Sequence, residues 1–212
     1  MASPLHRCIS RRRNKSSSLP DLRQTIVHKI AGRFRREYVC VIGDGGTGRN
    51  TLVRRFLNMS DGPFRYSQVT RYNYRFIMVH LSERPNIRDQ EIVNLCVYIF
   101  NLEGLSSHTF HLSVHLNSFA IVFDISRRST FFSAVHCMHR YAAYLGHNRY
   151  ILVGNKVDHL RPEVSQEEAV AAAAERGARR YYGCSALMNI NMDSVFDALL
   201  LMALDPFRPL PP

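Results

Sequence analysis

Gly43-Asp44-Gly45-Gly46-Thr47-Gly48-Arg49-Asn50 stands between an apolar run, Tyr38-Val39-Cys40-Val41-Ile42, and a helical pattern carried by Leu52, Val53, Phe56 and Leu57. A strand, a glycine loop and a helix in that order are the context that the phosphate-cradling motif G-x-x-x-x-G-K-[ST] requires. Gly43 and Gly48 have the motif's spacing. Glycines let successive N–H groups turn inward around a phosphate, and a helix N-terminus adds partial positive charge. Gly43, Gly45, Gly46 and Gly48 meet that need, with Thr47 among them. The motif's lysine is Arg49, which keeps the charge but replaces a compact ammonium with a bulky planar head. The hydroxyl residue that ligates Mg²⁺ is Asn50, whose amide offers one oxygen but also an NH₂ where a cation should sit.

Outward from this loop, further apolar runs bounded by turn residues fall at 73–80, 92–102, 118–125, 150–154 and 180–184. Helical patterns lie between most of them, at 50–58, at 129–145 (entered at Ser129), at 166–176 and at 192–204. The third has Ser165 as N-cap, Glu168 at the capping-box position and Gly177 just past its end. The last is stopped by Asp205-Pro206. Residues 82–91 read as a polar hairpin loop between adjacent strands. Alternating strands and helices predict an α/β fold with a mostly parallel sheet.

Two more motifs narrow the chemistry. Tyr150-Ile151-Leu152-Val153-Gly154 runs as a buried strand into Asn155-Lys156-Val157-Asp158, an N-K-x-D sequence. The Asp158 carboxylate can accept two hydrogen bonds from guanine N1–H and N2–H₂, which adenine lacks, and leaving it unpaired costs about 1–3 kcal/mol. Cys184-Ser185-Ala186-Leu187 then follows the Tyr181-Tyr182 strand and offers a loop whose backbone N–H can meet guanine O6. With the phosphate loop, these motifs make residues 37–204 resemble the Ras superfamily of small GTPases. Gly-Asp-Gly-Gly-Thr-Gly is similar to the loop of Rho-type members. Ile121-Val122-Phe123-Asp124-Ile125-Ser126, followed by Ser129-Thr130-Phe131, is similar to the family's fourth strand and next helix start.

The resemblance implies a three-layer fold of the P-loop NTPase type, with a six-stranded, mostly parallel sheet and helices on both faces. It also implies a D-x-x-G motif, matched here by Asn101-Leu102-Glu103-Gly104-Leu105. The Mg²⁺-holding aspartate is then Asn101, the γ-phosphate glycine is Gly104, and the water-orienting glutamine is Leu105. Thr70 is the candidate for the switch threonine. Asn50, Thr70 and Asn101 therefore form a weakened metal set, and no catalytic group stands intact. Phosphoryl transfer rests on positioning and charge neutralisation, so these changes predict slow turnover. The expected nucleotide contacts are Gly43, Gly45, Gly46, Thr47, Gly48, Arg49, Asn50 and Gly104 for the phosphates. For guanine they are Asn155, Lys156, Asp158, Ser185, Ala186 and Leu187.

Bulk properties place the rest. The net charge of +11 is concentrated in residues 1–37, which hold ten Lys or Arg and two acidic residues. The basicity therefore belongs to an N-terminal arm, and a nucleic-acid-binding core is a poor reading. Residues 1–36 form this arm; 1–20 are serine-rich and predicted disordered. Within 21–36, Leu22, Ile26, Ile30 and Phe34 recur among Arg and Lys, the pattern of a basic amphipathic helix that could meet anionic membrane. Arg11-x-Arg13-x-x-Ser16 is a candidate phosphosite, and the arm's composition also suits a transit peptide. The tail 205–212 ends Arg208-Pro209-Leu210-Pro211-Pro212, a candidate SH3-type ligand over 206–212. It lacks a C-a-a-X box, so no prenyl anchor is expected. Five scattered cysteines read as reduced thiols of a cytoplasmic protein. His108, His111 and His115 could share a helix face but read as exposed residues.

These features predict a monomeric guanine-nucleotide-binding regulator that takes GDP or GTP, needs little Mg²⁺, hydrolyses poorly and meets effectors through its switch surface. Two other readings follow from the same residues: a pseudo-GTPase scaffold without nucleotide, and a slow but genuine GTPase.

Overall fold

The computed structural model describes residues 35–58, 65–66, 73–80, 92–105, 116–145, 149–205, 207 and 209–210. The arm 1–34, the 82–91 loop, Thr70 and the three histidines at 108–115 lie outside the described residues, as does much of the tail.

Seven strands form one sheet: β1 (Arg35–Gly43), β2 (Arg65–Tyr66), β3 (Asn73–His80), β4 (Ile92–Asn101), β5 (Ser118–Asp124), β6 (Tyr150–Asn155) and β7 (Tyr181–Cys184). Their order is β2-β3-β4-β1-β5-β6-β7. The five strands from β4 to β7 are parallel, and β3 and β2 add an antiparallel edge. The expected count of six is short by β2. That strand has two residues, too few to show any period in the sequence.

The inner stretches of the central strands, 38–42 of β1 and 119–123 of β5, are continuously apolar because both faces are covered. Val39 and Val41 of β1 enter one core and Cys40 and Ile42 the other; Ala120 and Val122 of β5 alternate with Phe119, Ile121 and Phe123 in the same way. The first core is closed by helices α1 (Arg49–Asn58) and α5 (Met192–Leu204), where Phe56 meets Phe196 at 4.8 Å between ring centroids. Phe131, Ala134 and Met138 of α2 (Arg128–Arg140), Leu145 of α3 (Ala142–Leu145), and Ala169 and Ala173 of α4 (Gln166–Glu175) close the second. Each fully buried Phe or Leu contributes about 1.5–3 kcal/mol, so the two cores dominate stability.

Two helix boundaries differ from expectation. The 129–145 pattern is two helices, α2 and α3, separated at Tyr141, whose hydroxyl donates to the Leu105 carbonyl at 2.8 Å. α2 also starts at Arg128 instead of after Ser129. Its first N–H donates to Glu163 Oε2 at 2.7 Å, a cap supplied from a distant loop that no local pattern announces. α4 keeps the expected local cap, with Ser165 Oγ accepting from the Glu168 N–H at 3.2 Å.

Candidate nucleotide site

Strand register assembles the site. Gly43 lies opposite Asn101 of β4 and Val122 of β5; Asp124 lies opposite Asn155, and Asn155 opposite Cys184. Five neighbouring strands therefore finish at one edge and release the phosphate loop, the Asn101–Leu105 turn, the Asp124 corner and the N-K-x-D and C-S-A loops together. Parallel α/β sheets bind ligands at this carboxyl edge, where the strand order reverses.

The phosphate loop is held by its own atoms and by two side chains. Thr47 Oγ1 donates to the Asp44 carbonyl at 2.9 Å. Gly46 and Gly48 take positive φ, +77° and +90°. A Cβ on Gly48 would overlap Asn155 Nδ2, while one on Gly45 would meet open space. The helical ladder of α1 begins with the Leu52 N–H donating to the Gly48 carbonyl at 2.9 Å. The N–H groups of the turn before it are thus available to an anion.

Asn155 joins three parts of the site. Its Nδ2 donates to the Thr47 carbonyl at 2.8 Å, and its Oδ1 accepts from the Ala186 N–H at 3.0 Å. The side chain therefore ties the phosphate loop to the C-S-A loop. It also takes up the Ala186 N–H, one of the N–H groups expected to face guanine O6. Lys156, at φ +69°, turns its Nζ to Asp124 Oδ2 at 2.6 Å. Asp158 is exposed at the rim. Ser185 is fully buried, and its Oγ accepts from the Met188 N–H at 3.0 Å, so it shapes the loop from inside. A cleft of about 540 Å³ is lined by Gly46, Gly48, Asn50, Asp158, Ala186 and Leu187, with Arg49, Thr51, Asn155 and Lys156 completing it.

The cleft has a glycine cradle at one end and a carboxylate at the other. A protein-family comparison matches the Ras family over residues 103–204. Over that stretch the chain is similar to the small GTPases of the Ras superfamily. Comparison with curated proteins gave no match. The Ras-family match contains the N-K-x-D and C-S-A segments and α2 to α5, whereas the phosphate loop and Asn101 precede it. Guanine-nucleotide binding is general to the Ras family, and the residues of the cleft fit it. Asp158 carries an acceptor pair of the kind a guanine edge needs, and the loop's glycines line the same cleft.

The Ras-type metal position fits less well. Asn50 and Asn101 bring neutral amide oxygens where the motif has a hydroxyl and a carboxylate, and Asn101 Nδ2 donates to Glu103 Oε2 at 3.3 Å. Mg²⁺ favours carboxylate oxygens in strict octahedral geometry. Among the described residues no group of three or more His, Cys, Asp or Glu gathers as a metal cage.

Arg49 turns toward the sheet. Its Nη1 donates to the Phe100 carbonyl. Burial lowers its pKa from the ordinary guanidinium value, with the Asp44 carboxylate and, less strongly, that of Glu103 acting the other way. Leu105 is 9% exposed and packs into the second core, so its side chain does not reach the cleft mouth.

Three groups were not singled out from the sequence. Asp124 is 1% exposed and collects Lys156, Arg127 (Nε to Oδ2, 3.2 Å) and both the N–H and Oγ of Ser126. Arg127 Nη2 donates to the Gly45 carbonyl at 2.8 Å. Arg55 Nε donates to the Ala186 carbonyl at 2.8 Å and its Nη2 to that of Leu187, so α1 holds the C-S-A loop from below. The strand-to-helix position of Asp124 and Arg127 was the available signal; the Arg55 contact spans 131 residues and left none.

Proposed function

We propose that this small-GTPase-like protein binds GDP and GTP by guanine and phosphate-loop recognition, with weak dependence on Mg²⁺, and hydrolyses GTP poorly. The observation that carries this reading is the split within the site. The groups suited to a base and a phosphate, Asp158 and the Gly46–Gly48 turn, line the cleft together with Asn155 and Lys156, whose side chains hold its walls. The groups that neutralise and position a transferring phosphoryl are replaced or turned elsewhere: Arg49 onto Phe100, Asn101 onto Glu103, Leu105 into the core.

Such a division separates binding from turnover. Guanine and the cradle contribute to both ground state and transition state, so binding is kept. Charge neutralisation and water positioning act chiefly in the transition state, and each ~1.4 kcal/mol lost there slows the step about tenfold.

The test is to purify the full chain, identify any nucleotide that comes with it, and titrate GDP and GTP with Mg²⁺ and with EDTA. Micromolar or tighter binding that EDTA changes little, with negligible single-turnover hydrolysis, is expected. Failure to bind either nucleotide would overturn the reading in favour of an empty scaffold. Tight binding that requires Mg²⁺, with measurable turnover, would overturn it in favour of a working GTPase.

A further inference from the structure

We propose that Arg127 is a positioning residue for the phosphate loop: clamped by Asp124, it holds the Gly45 carbonyl from outside and so aims the Gly46 N–H into the cleft. In a planar trans peptide the carbonyl of one residue and the N–H of the next point in opposite directions. Arg127 Nη2 fixes the Gly45 carbonyl, and Asn155 Nδ2 fixes the Thr47 carbonyl, each at 2.8 Å. Two alternate carbonyls of the loop are thus tied to side chains. The N–H groups of Gly46 and Gly48 must face the other way.

The cleft agrees with this division. Gly46 and Gly48 line it, whereas Gly45, Thr47 and Arg127 do not. Arg127 therefore works from behind the loop. It also packs closely there, since a Cβ on Gly46 would come within 3.2 Å of Arg127 Nη2.

Arg127 is itself held. Asp124 Oδ2 accepts from Arg127 Nε at 3.2 Å and from Lys156 Nζ at 2.6 Å, and Oδ1 is anchored by Ser126. One buried carboxylate thereby fixes both the lysine of N-K-x-D and the clamp on the phosphate loop. A backbone carbonyl held by a guanidinium already oriented by a carboxylate keeps its direction before any anion arrives, which is preorganisation for phosphate.

The ligand part of this inference rests on the guanine-nucleotide reading; the loop part does not. The experiment uses the full chain with Arg127→Ala, Arg127→Lys and Asp124→Asn. Hydrogen exchange of the backbone amides over 43–50 is measured without ligand, and affinities for GDP and for guanosine are measured separately. Arg127→Ala should speed exchange over 43–50 and weaken GDP by about tenfold or more, the loss of one charge-assisted hydrogen bond, with guanosine affinity unchanged. A general structural defect would weaken both ligands together. Arg127→Lys keeps a cation on Asp124 but lacks the second arm to Gly45, so it should show the same selective loss with an unaltered melting temperature; it also serves if the alanine variant does not fold. Asp124→Asn should loosen the same amides. Unchanged exchange over 43–50 in the Arg127 variants would overturn the clamp, as would an unchanged GDP-to-guanosine affinity ratio. If the wild type binds neither ligand, the nucleotide reading fails and exchange alone decides the clamp.

Discussion

The Arg49 guanidinium donates to the carbonyl of Phe100, the residue immediately before Asn101 at the end of β4. The one cation that the phosphate-loop motif supplies is thus tethered to the sheet edge where the motif's metal site would begin. A lysine at this position has no planar fork and a shorter reach, and its ammonium is the group the loop normally turns onto phosphate. Arg49→Lys should tighten GDP by about tenfold, the worth of one charge-assisted hydrogen bond. GTP turnover should stay negligible, because Asn101 and Leu105 are unchanged. Titration calorimetry and single-turnover assays check both parts. Unchanged or weaker GDP binding would show that Arg49 already serves the phosphates.

Restoring the missing glutamine should not restore catalysis. Leu105 packs in the second core, and its carbonyl accepts from Tyr141 Oη at 2.8 Å. Leu105→Gln would bury an amide with no partner in the apolar cluster, at a cost of about 1–3 kcal/mol. A lower denaturation midpoint with no gain in hydrolysis is the expected result. A variant as stable as the wild type that hydrolyses GTP would show that this segment readily leaves its packed position.

The fold was readable because its signals are local. The inner stretches of β1 (38–42), β5 (119–123) and β6 (150–154) are continuous runs without a charged residue, the mark of strands covered on both faces, and Ser165 with Glu168 and Gly177 brackets α4. The site was readable where a motif is contiguous, as in Gly43–Asn50 and Asn155–Asp158. What escaped the sequence is long-range or side-chain specific. Glu163 caps α2 across 35 residues, and Arg55 reaches Ala186 across 131. Asn155 and Lys156 belong to a base-recognition motif, yet their side chains serve loop–loop ties: Thr47 and Ala186 for one, Asp124 for the other. Motif spacing reports which residues meet a ligand region, not which atoms are already engaged by protein.

Gly48 gives a sharper test of those ties than any charged residue. Its φ of +90° is costly for an L side chain, and an added Cβ would overlap Asn155 Nδ2. Gly48→Ala should therefore displace the Asn155 amide from Thr47 and disturb both the cradle and the C-S-A loop. Non-Gly residues held in such a conformation cost about 1–3 kcal/mol, so the protein should fold with a lowered midpoint. GDP affinity should fall by more than that strain alone predicts, because two binding loops shift. Retention of wild-type GDP binding would separate Asn155 from loop positioning.

Asp158 should set base choice. It stands exposed at the cleft rim, so Asp158→Ala removes acceptors without opening the core. GDP binding should weaken by about one to two orders of magnitude, the loss of one or two hydrogen bonds to a charged group. ADP binding should change little, and the guanine-to-adenine ratio is the quantity to measure. An unaltered ratio would remove Asp158 from the base site.

Acid should destabilise the protein through Asp124. Burial alone would raise this carboxyl, but hydrogen bonds from Lys156 and Ser126 and the Lys156 charge outweigh it, so its pKa lies below the ordinary carboxylate value. A depressed folded pKa means that the folded state binds the proton less readily than the unfolded chain. The stabilisation is complete above the unfolded value of about 3.9 and is lost as pH falls below it through the folded value. Chemical denaturation measured between neutral pH and pH 3 should therefore show stability declining in the acid part of that range. Asp124→Asn removes the titrating group and leaves Lys156 and Arg127 facing a neutral amide, weakening charge-assisted bonds worth about 1.5–3 kcal/mol each before solvent screening. The variant should be less stable at neutral pH and should lose part of the acid-dependent decline, so the two curves converge as pH falls. Parallel curves would show that Asp124 is not the group whose protonation loosens the corner between β5 and the phosphate loop.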